Sequence, residues 1–171
     1  MNYTKLSFTC YATVAHVDRD DYNDPDYLSF TLKIPSWGDN TLFAKLKNRE
    51  GEPFPAVGGR FNFRGEFFVD PGKEWTRTYF YIRSYDDVHD EPTEIPPPKF
   101  VLVAEVRRID ATSAKVYWRV WDEYENATYP QVFNIMLDQT EGNITVGRQY
   151  QFEGVAEDAD RFRATTIKLI A

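Results

Sequence analysis

The sequence has one cysteine and no long apolar run, and each absence excludes a class of protein. A single cysteine, Cys10, excludes an internal disulfide framework, and its apolar neighbours predict a small core residue. No stretch reaches the roughly 18 apolar residues that a membrane-spanning helix needs. The N-terminus lacks the apolar core and cleavage pattern of a signal peptide. We therefore expect a soluble intracellular protein, nuclear if eukaryotic, that does not contact a membrane.

Motifs that carry catalysis or bind metal ions are missing too. His16 and His89 are far apart in the chain, and neither has a partner at metal-ligand spacing. The phosphate-binding P-loop, the dinucleotide-binding glycine pattern and the G-x-S-x-G nucleophile motif do not occur. We expect a protein that is not an enzyme and that uses no metal or cofactor.

Positive charge is scarce. The 20 Lys and Arg residues face 27 Asp and Glu residues, which gives a formal net charge of −7. Nucleic-acid-binding domains usually show a basic bias, so any contact with nucleic acid must be a local patch on an acidic protein. Hydrophobic residues make up 42% of the chain and aromatic residues 16%, which is enough for compact cores and excludes general disorder.

Helical periodicity is absent, and strands dominate the prediction. Apolar residues nowhere recur at the 3.6-residue period over the length of a helix. We predict strands at 6–17, 27–34, 41–47, 59–69 and 77–85, and again at 100–109, 114–124, 131–138, 148–157 and 161–170. A short helical turn is expected after the third strand of each set, near 49–57 and 139–146.

The most informative feature is an internal repeat. Residues 57–65, VGGRFNFRG, recur as VGRQYQFEG at 146–154, and FTCYATVAHVD at 8–18 matches FVLVAEVRRID at 100–110. A period near ninety residues fits a whole small domain built twice. We predict domains at 1–90 and 99–171, joined by an acidic, Pro-rich linker at 91–98 that acts as a stiff spacer.

Each predicted domain has the pattern of a small β-barrel. Five short strands, a long connection from the third strand to the fourth and a glycine within the fourth strand are typical of the OB-type barrel. Gly65 and Gly154 are the expected positions of the bend in the fourth strand. The predicted fold class is therefore all-β, with two five-stranded OB-type barrels in tandem.

The order of elements and the V-G-x-x-aromatic-x-F-x-G strand resemble the OB-fold of single-stranded-DNA-binding proteins. Two such domains in one chain also resemble the paired DNA-binding barrels of replication protein A. The resemblance covers most of the chain and implies a role in DNA replication and repair. It is architectural, and OB-folds also bind oligosaccharides and proteins, so the fold alone does not fix the ligand.

In the second domain, the strand at 114–124 alternates inward and outward residues. The outward row alternates cations and aromatic rings: Lys115, Tyr117, Arg119 and Trp121. Bases stack on such rings while cations meet the phosphates, so we predict a nucleic-acid contact here. The alternative is a set of ordinary β-forming side chains or a protein interface.

In the first domain the candidate ligand residues are more scattered. They comprise an outward row on the third strand, a hairpin tip and an aromatic residue after the second strand: Phe43, Lys45, Lys47, Lys73, Trp75, Arg77 and Trp37. The tip residue Trp75 has the alternative of plugging the end of the barrel, and Trp37 has a comparable structural alternative. Tyr79 and Tyr81 form a further row with Arg77 and Arg83, for which packing against the other barrel is the favoured interpretation.

We therefore predict a protein that binds single-stranded DNA with little sequence preference, with RNA as a competing ligand. A loop with five carboxylates at 18–26 argues against phosphate binding, although salt limits its reach to about 8–10 Å. The alternative is an accessory subunit that binds protein partners through its barrels and does not touch nucleic acid. Oligosaccharide binding is a third, weaker option.

Overall fold

Strands account for nearly all regular structure in the residues that the structure describes. The computed structural model describes residues 4–18, 26–71, 76–122, 127–137 and 143–171, apart from the side chains at 70, 71, 76, 77 and 122. Much of the 18–26 loop and the hairpin tip with Lys73 and Trp75 lie outside these ranges. None of the described helices is long and apolar enough to cross a membrane.

The described ranges contain ten strands, close to the ten predicted positions. The first five are β1 (Leu6–Asp18), β2 (Tyr27–Lys33), β3 (Thr41–Lys47), β4 (Arg60–Pro71) and β5 (Thr76–Asp87). The other five are β6 (Lys99–Ile109), β7 (Ser113–Asp122), β8 (Ala127–Leu137), β9 (Gln149–Asp158) and β10 (Arg161–Leu169). The main difference is β8, which begins four residues earlier than predicted.

The predicted helical turn at 49–57 is wrong. The described chain there forms turns, and the short 3-10 helix of the first half lies instead at Pro35–Trp37. Gly51 adopts a positive φ of 78°, and Pro53 and Pro55 have no amide to donate, so a helix cannot propagate through the segment. In the second predicted turn, residues 143–146 contain no helix either.

Strands β1 to β5 form a closed ring. They pair in the order β1, β2, β3, β5, β4 and back to β1, and every pair is antiparallel except β3 with β5. This ring is a five-stranded barrel of the OB type, and its interior is filled by alternate apolar side chains. Cys10 is buried there as predicted, and burial raises the pKa of its thiol above the ordinary value.

Strands β6 to β10 pair in the corresponding order. The order of pairing is β6, β7, β8, β10, β9 and back to β6, with β8 and β10 as the parallel pair. The first glycine of each nine-residue motif copy also makes the same backbone hydrogen bond. The amides of Gly58 and Gly147 donate to the carbonyls of Val14 and Val106, each at 2.8 Å.

The closing glycine of each motif copy lies where a side chain has no room. A Cβ added at Gly65 would overlap the carbonyl oxygen of Tyr81, and one added at Gly154 would overlap that of Arg163. Both ladders are irregular at this point, on β5 after Ile82 and on β10 after Ala164. Glycine is therefore required by the close approach of two backbones, as the predicted bend implied.

The two halves meet through paired strands and a shared core. β1 pairs antiparallel with β6, so that Phe8 lies opposite Phe100. The ring of Phe162, from β10, lies 5.9 Å from the ring of Phe8 and 5.0 Å from that of Phe67. The apolar side chains of both halves consequently form one continuous cluster.

Hydrogen bonds between side-chain or backbone groups also connect the two halves. The connection from β2 to β3 reaches the end of β9, where the side-chain amide of Asn40 donates to Asp158 Oδ2 at 2.8 Å. The hairpin of β7 and β8 reaches the end of β4, where the amide of Val69 donates to Gln131 Oε1 at 2.7 Å. Each half thus contacts the fourth strand of the other half, the first half through its β2–β3 connection and the second half through β8.

Residues 88–98 connect β5 to β6 without forming a strand. The segment lies against both halves: Pro98 accepts a hydrogen bond from the Ala156 amide at 2.9 Å, and Glu91 lies 3.8 Å from Arg60. Pro96 and Pro97 line a cavity over the outer surface of β1 and β4. The segment therefore contacts both halves, with Pro98 buried and most of its other residues exposed.

Candidate nucleic-acid interface

The outer face of β7 carries the predicted cation and aromatic row. Every second residue of this strand is buried inside the ring, from Ala114 to Val120. The residues between them lie on the outer face: Lys115, Tyr117, Arg119 and Trp121. The first three are half-buried, and Trp121 is 38% exposed.

Neighbouring strands position this row. The guanidinium of Arg107, on β6, lies 4.2 Å from the ring centroid of Tyr117, and Arg107 also pairs with Glu105 at 3.2 Å. Arg119 Nη2 donates to the hydroxyl of Thr128, on β8, at 3.1 Å. The Arg107 guanidinium therefore covers one face of the Tyr117 ring, while the Thr128 hydroxyl orients Arg119 as a cation beside the row.

On the first half, the predicted row on β3 also lies on the outer face. Phe43 is 45% exposed, Lys45 is half-buried and Lys47 is exposed. The ammonium of Lys45 lies 5.6 Å from the ring centroid of Tyr79 on β5. The parallel pairing of β3 with β5 creates this contact, because it places the outward residues of the two strands side by side.

Tyr79 and Tyr81 extend the row into an aromatic cluster that sequence reasoning undervalued. Their rings lie 5.1 Å apart, and the ring of Phe68 on β4 lies 5.5 Å from Tyr79 and 4.9 Å from Tyr81. Tyr27 on β2 adds a fourth ring, 5.4 Å from Tyr81. The tyrosines were expected to pack on the other barrel, and these ring contacts join them to residues of the first half.

A buried carboxylate lies beside this aromatic cluster. Glu66 on β4 is nearly enclosed and pairs with Lys5 at 2.9 Å and with Arg83 at 3.1 Å. Burial opposes ionisation of Glu66, but hydrogen bonds and charge from Arg83 and Lys5 outweigh it and hold the pKa of the carboxyl below its ordinary value. The negative charge is thereby matched by two cations.

The prediction that Trp37 is an exposed ligand residue is wrong. Its side chain is only 4% exposed, and its indole Nε1 donates to the carbonyl of Ala156, in the other half, at 2.9 Å. The 3-10 helix at Pro35–Trp37 turns the ring into the junction between the halves. Trp37 is therefore a packing residue, which the local sequence did not reveal.

The side chains predicted at the β4–β5 hairpin tip are not described by the structure. Lys73 and Trp75 lie outside the described residues, and of Arg77 only the backbone is described, paired with Asp70. The rows on β3 and β7 belong to different rings, and the two strands do not pair. In the part of the chain that the structure describes, no three His, Cys, Asp or Glu residues are grouped to hold a metal ion.

Solved structures share this fold. The wild-type single-stranded DNA binding protein from Thermus aquaticus superposes with a TM-score of 0.64 at 11% identity, over 99% of this chain and 95% of that one. A deletion mutant of the same protein gives 0.64 at 10% identity, over 100% and 97%. The likeness is one of fold. No protein-family model and no curated protein sequence matches the chain.

Proposed function

We propose that this chain binds single-stranded DNA with little preference for sequence and does not catalyse a reaction. The observation that carries the proposal is the outward row of Lys115, Tyr117, Arg119 and Trp121 on an OB-type ring. The fold is shared with a protein named for binding single-stranded DNA, which supports the choice of ligand. Stacking and phosphate contacts tolerate every base, so weak sequence preference follows.

The proposal includes two tandem OB-type barrels at 1–90 and 99–171, connected by 91–98, in an arrangement that resembles the paired barrels of replication protein A. The matching order of strand pairing in the two halves supports it. In the first barrel, Phe43, Lys45 and Lys47 would contact the strand, together with Lys73, Trp75 and Arg77 at the hairpin tip. Two weak sites held in one body gain affinity through effective concentration.

RNA has the same stacking faces and phosphates, so we propose it as a competing ligand. An intracellular location, nuclear if eukaryotic, and a role in replication and repair complete the proposal. The test is fluorescence anisotropy of labelled oligothymidine at two salt concentrations. We expect binding that weakens as salt rises, because released counterions drive phosphate contacts.

Two variants and a control sharpen this experiment. Trp121→Ala and Phe43→Ala each remove a ring from a proposed binding row, and both should weaken binding. Val57→Ala removes an exposed apolar side chain from a turn outside both rows and should leave affinity unchanged. No binding by the wild-type protein at low salt, or equal binding by all variants, would refute the proposal.

A protein-binding accessory subunit is the second candidate. The net charge of −7 favours it, since an acidic surface recruits basic partners and repels DNA. Exposed apolar side chains at the C-terminal end, Leu169 and Ile170, offer further contact area. Under this alternative, co-purification would give a stable complex with a basic protein, and oligothymidine would neither bind nor compete.

A further inference from the structure

A pocket of about 170 Å³ opens at the end of the first ring where β3 finishes. Three strands of the ring supply its apolar lining: Leu28 from β2, Leu46 from β3 and Ile82 from β5. Phe54 and Tyr85 add aromatic side chains to this lining. Sites for drug-sized ligands occupy about 300–1,000 Å³, so a pocket of this size suits a single planar ring.

The connection after β3 forms one wall of the pocket and is held at two points. The amide of Asn48 donates to the carbonyl of Asp26 at 2.8 Å. The hydroxyl of Tyr85, on β5, donates to the carbonyl of Pro53 at 3.0 Å. Asp26 contributes this carbonyl without lining the pocket itself. The segment that was expected to form a helical turn is therefore fixed as the wall of a binding-sized hollow.

The rim of the pocket carries more positive than negative charge. Three cations line it, Lys47, Arg49 and Arg83, and among the described lining residues Glu52 is the one carboxylate. Arg83 is already paired with Glu66, so the exposed Lys47 and Arg49 are the cations that a ligand reaches. The side chains of Arg49 and Glu52 are 64% and 59% exposed and lie 4.0 Å apart, so their pairing is loose and screened by solvent.

The proposed DNA-binding row on β3 leads into this pocket. Phe43, Lys45 and Lys47 alternate along the strand, and Lys47 belongs both to the row and to the pocket lining. Alternate residues of a strand lie about 6.6 Å apart, which is close to the spacing of successive phosphates in an extended single strand. A polynucleotide that follows the row therefore reaches the pocket with a phosphate at Lys47 and its next base beside the apolar lining.

We propose that this pocket takes one nucleobase of a bound single strand, with the flanking phosphates at Lys47 and Arg49. The inference rests on the proposed function and deepens it, because it assigns a base pocket at the end of the β3 row. The apolar lining covers the faces of the base, and the side-chain amide of Asn48, which also lines the pocket, can pair with its polar edge. Any preference among bases is then confined to this one position.

Variants with matched charge changes test the rim by oligothymidine affinity across salt. Arg49→Gln removes a phosphate partner and should weaken binding several-fold while lowering the salt slope by about 0.7. Glu52→Gln removes the opposing carboxylate and should strengthen binding about twofold. The controls make the same charge changes outside the pocket lining: Lys168→Gln and Glu50→Gln, both at exposed positions, should match the wild type. Equal strengthening by Glu50→Gln and Glu52→Gln would assign the effect to net charge and overturn the proposal.

Photochemical crosslinking tests whether a base enters the pocket. Oligothymidine with one thymine replaced by 5-iodouracil, at each position in turn, bonds on irradiation to an aromatic ring that touches the base. Mass spectrometry of the digested adduct should identify Phe54 or Tyr85. Leu46→Trp fills the pocket with a larger side chain and should abolish these adducts, with its melting temperature as the check on folding. Adducts confined to the rows on β3 and β7 in the wild type would overturn the base pocket.

The outcomes separate this inference from the proposed function. Oligothymidine binding by the wild type, with unchanged affinity in Arg49→Gln, would overturn the pocket assignment alone. Absence of wild-type binding at low salt would overturn the proposed function with it. An acidic peptide also complements the rim, although the continuity with the β3 row favours a nucleotide. Binding of a glutamate-rich peptide that requires Arg49, while oligothymidine binding does not, would reassign the pocket to a protein ligand and overturn the proposal.

Discussion

Phe8 lies directly opposite Phe100 in the antiparallel pair formed by β1 and β6. The two residues also occupy matching positions in the internal sequence repeat, as the first residues of FTCYATVAHVD and FVLVAEVRRID. The flanking pairs are reciprocal: Ser7 lies opposite Val101 and Thr9 opposite Lys99, whereas the repeat aligns Ser7 with Lys99 and Thr9 with Val101. Antiparallel pairing of equivalent residues is the signature of a two-fold relationship, here within one chain.

This relationship predicts that the halves unfold together. Phe162 is fully buried and contacts rings from both halves, so Phe162→Ala should lower the free energy of unfolding by about 3–5 kcal/mol. Tryptophan fluorescence and far-UV circular dichroism in denaturant should give one coincident transition. Val57→Ala serves as the exposed control and should change little. Two separate transitions, with only one shifted by Phe162→Ala, would contradict a shared core.

The closing glycines make a second prediction. Gly65→Ala and Gly154→Ala each place a methyl group against a backbone carbonyl, which neither strand can move without breaking its ladder. Each should lower the melting temperature more than Gly51→Ala, which has open space but a positive φ and should cost about 1 kcal/mol. Thermal unfolding followed by circular dichroism measures this order. A smaller loss for the closing glycines than for Gly51 would show that the bend can relax.

We predict that removing the hydroxyl group of Tyr11 stabilises the protein. Its hydroxyl is buried and has no partner among the described residues, so Tyr11→Phe should raise the free energy of unfolding by up to about 1 kcal/mol. Tyr85→Phe is the matched comparison, because that hydroxyl donates to the carbonyl of Pro53 at 3.0 Å, and its loss should be neutral or destabilising. Urea titrations of the two variants decide the point. Destabilisation by Tyr11→Phe would mean that the hydroxyl is satisfied in solution.

We predict that protonation of Glu66 lowers the free energy of unfolding in acid. Its pKa is lower in the folded protein than in the unfolded chain, so its contribution is fully present above the unfolded value and is lost as pH falls through the folded value. Glu66→Gln should therefore flatten the fall in unfolding free energy between neutral and acidic pH. Glu50→Gln, at an exposed site, should leave the fall unchanged. An equally steep fall for Glu66→Gln would assign the acid sensitivity to other carboxylates.

The strands and the outward row of β7 were predictable, whereas the partners across the sheet were not. Alternation is local, so the sequence placed Tyr117 and Trp121 outside and Val116 inside without knowledge of the fold. The repeat likewise located Gly65 and Gly154 at equivalent bends. These features depend on neighbours within a few residues.

Trp37 shows why the rest was missed. Its hydrogen-bond acceptor, the carbonyl of Ala156, is 119 residues away and becomes adjacent only when the halves meet. Tyr79 and Tyr81 illustrate the same limit, since the parallel pairing of β3 with β5 brings Lys45 to them. Whether each ring is buried or exposed depends on long-range strand pairing, which no local sequence pattern encodes.

Trp121 provides the sharpest prediction about the proposed DNA-binding row. If a base stacks on its indole, Trp121→Ala should weaken oligothymidine binding about tenfold, since one stacked base contributes about 1–3 kcal/mol. Trp121→Phe keeps a ring and should recover most of the affinity, which separates stacking from simple loss of side-chain volume. Fluorescence anisotropy at low salt measures both, with Val57→Ala as the control. Equal weakening by Ala and Phe would show that the indole acts through its polar nitrogen or through packing. That outcome would remove base stacking from the proposed mechanism on β7.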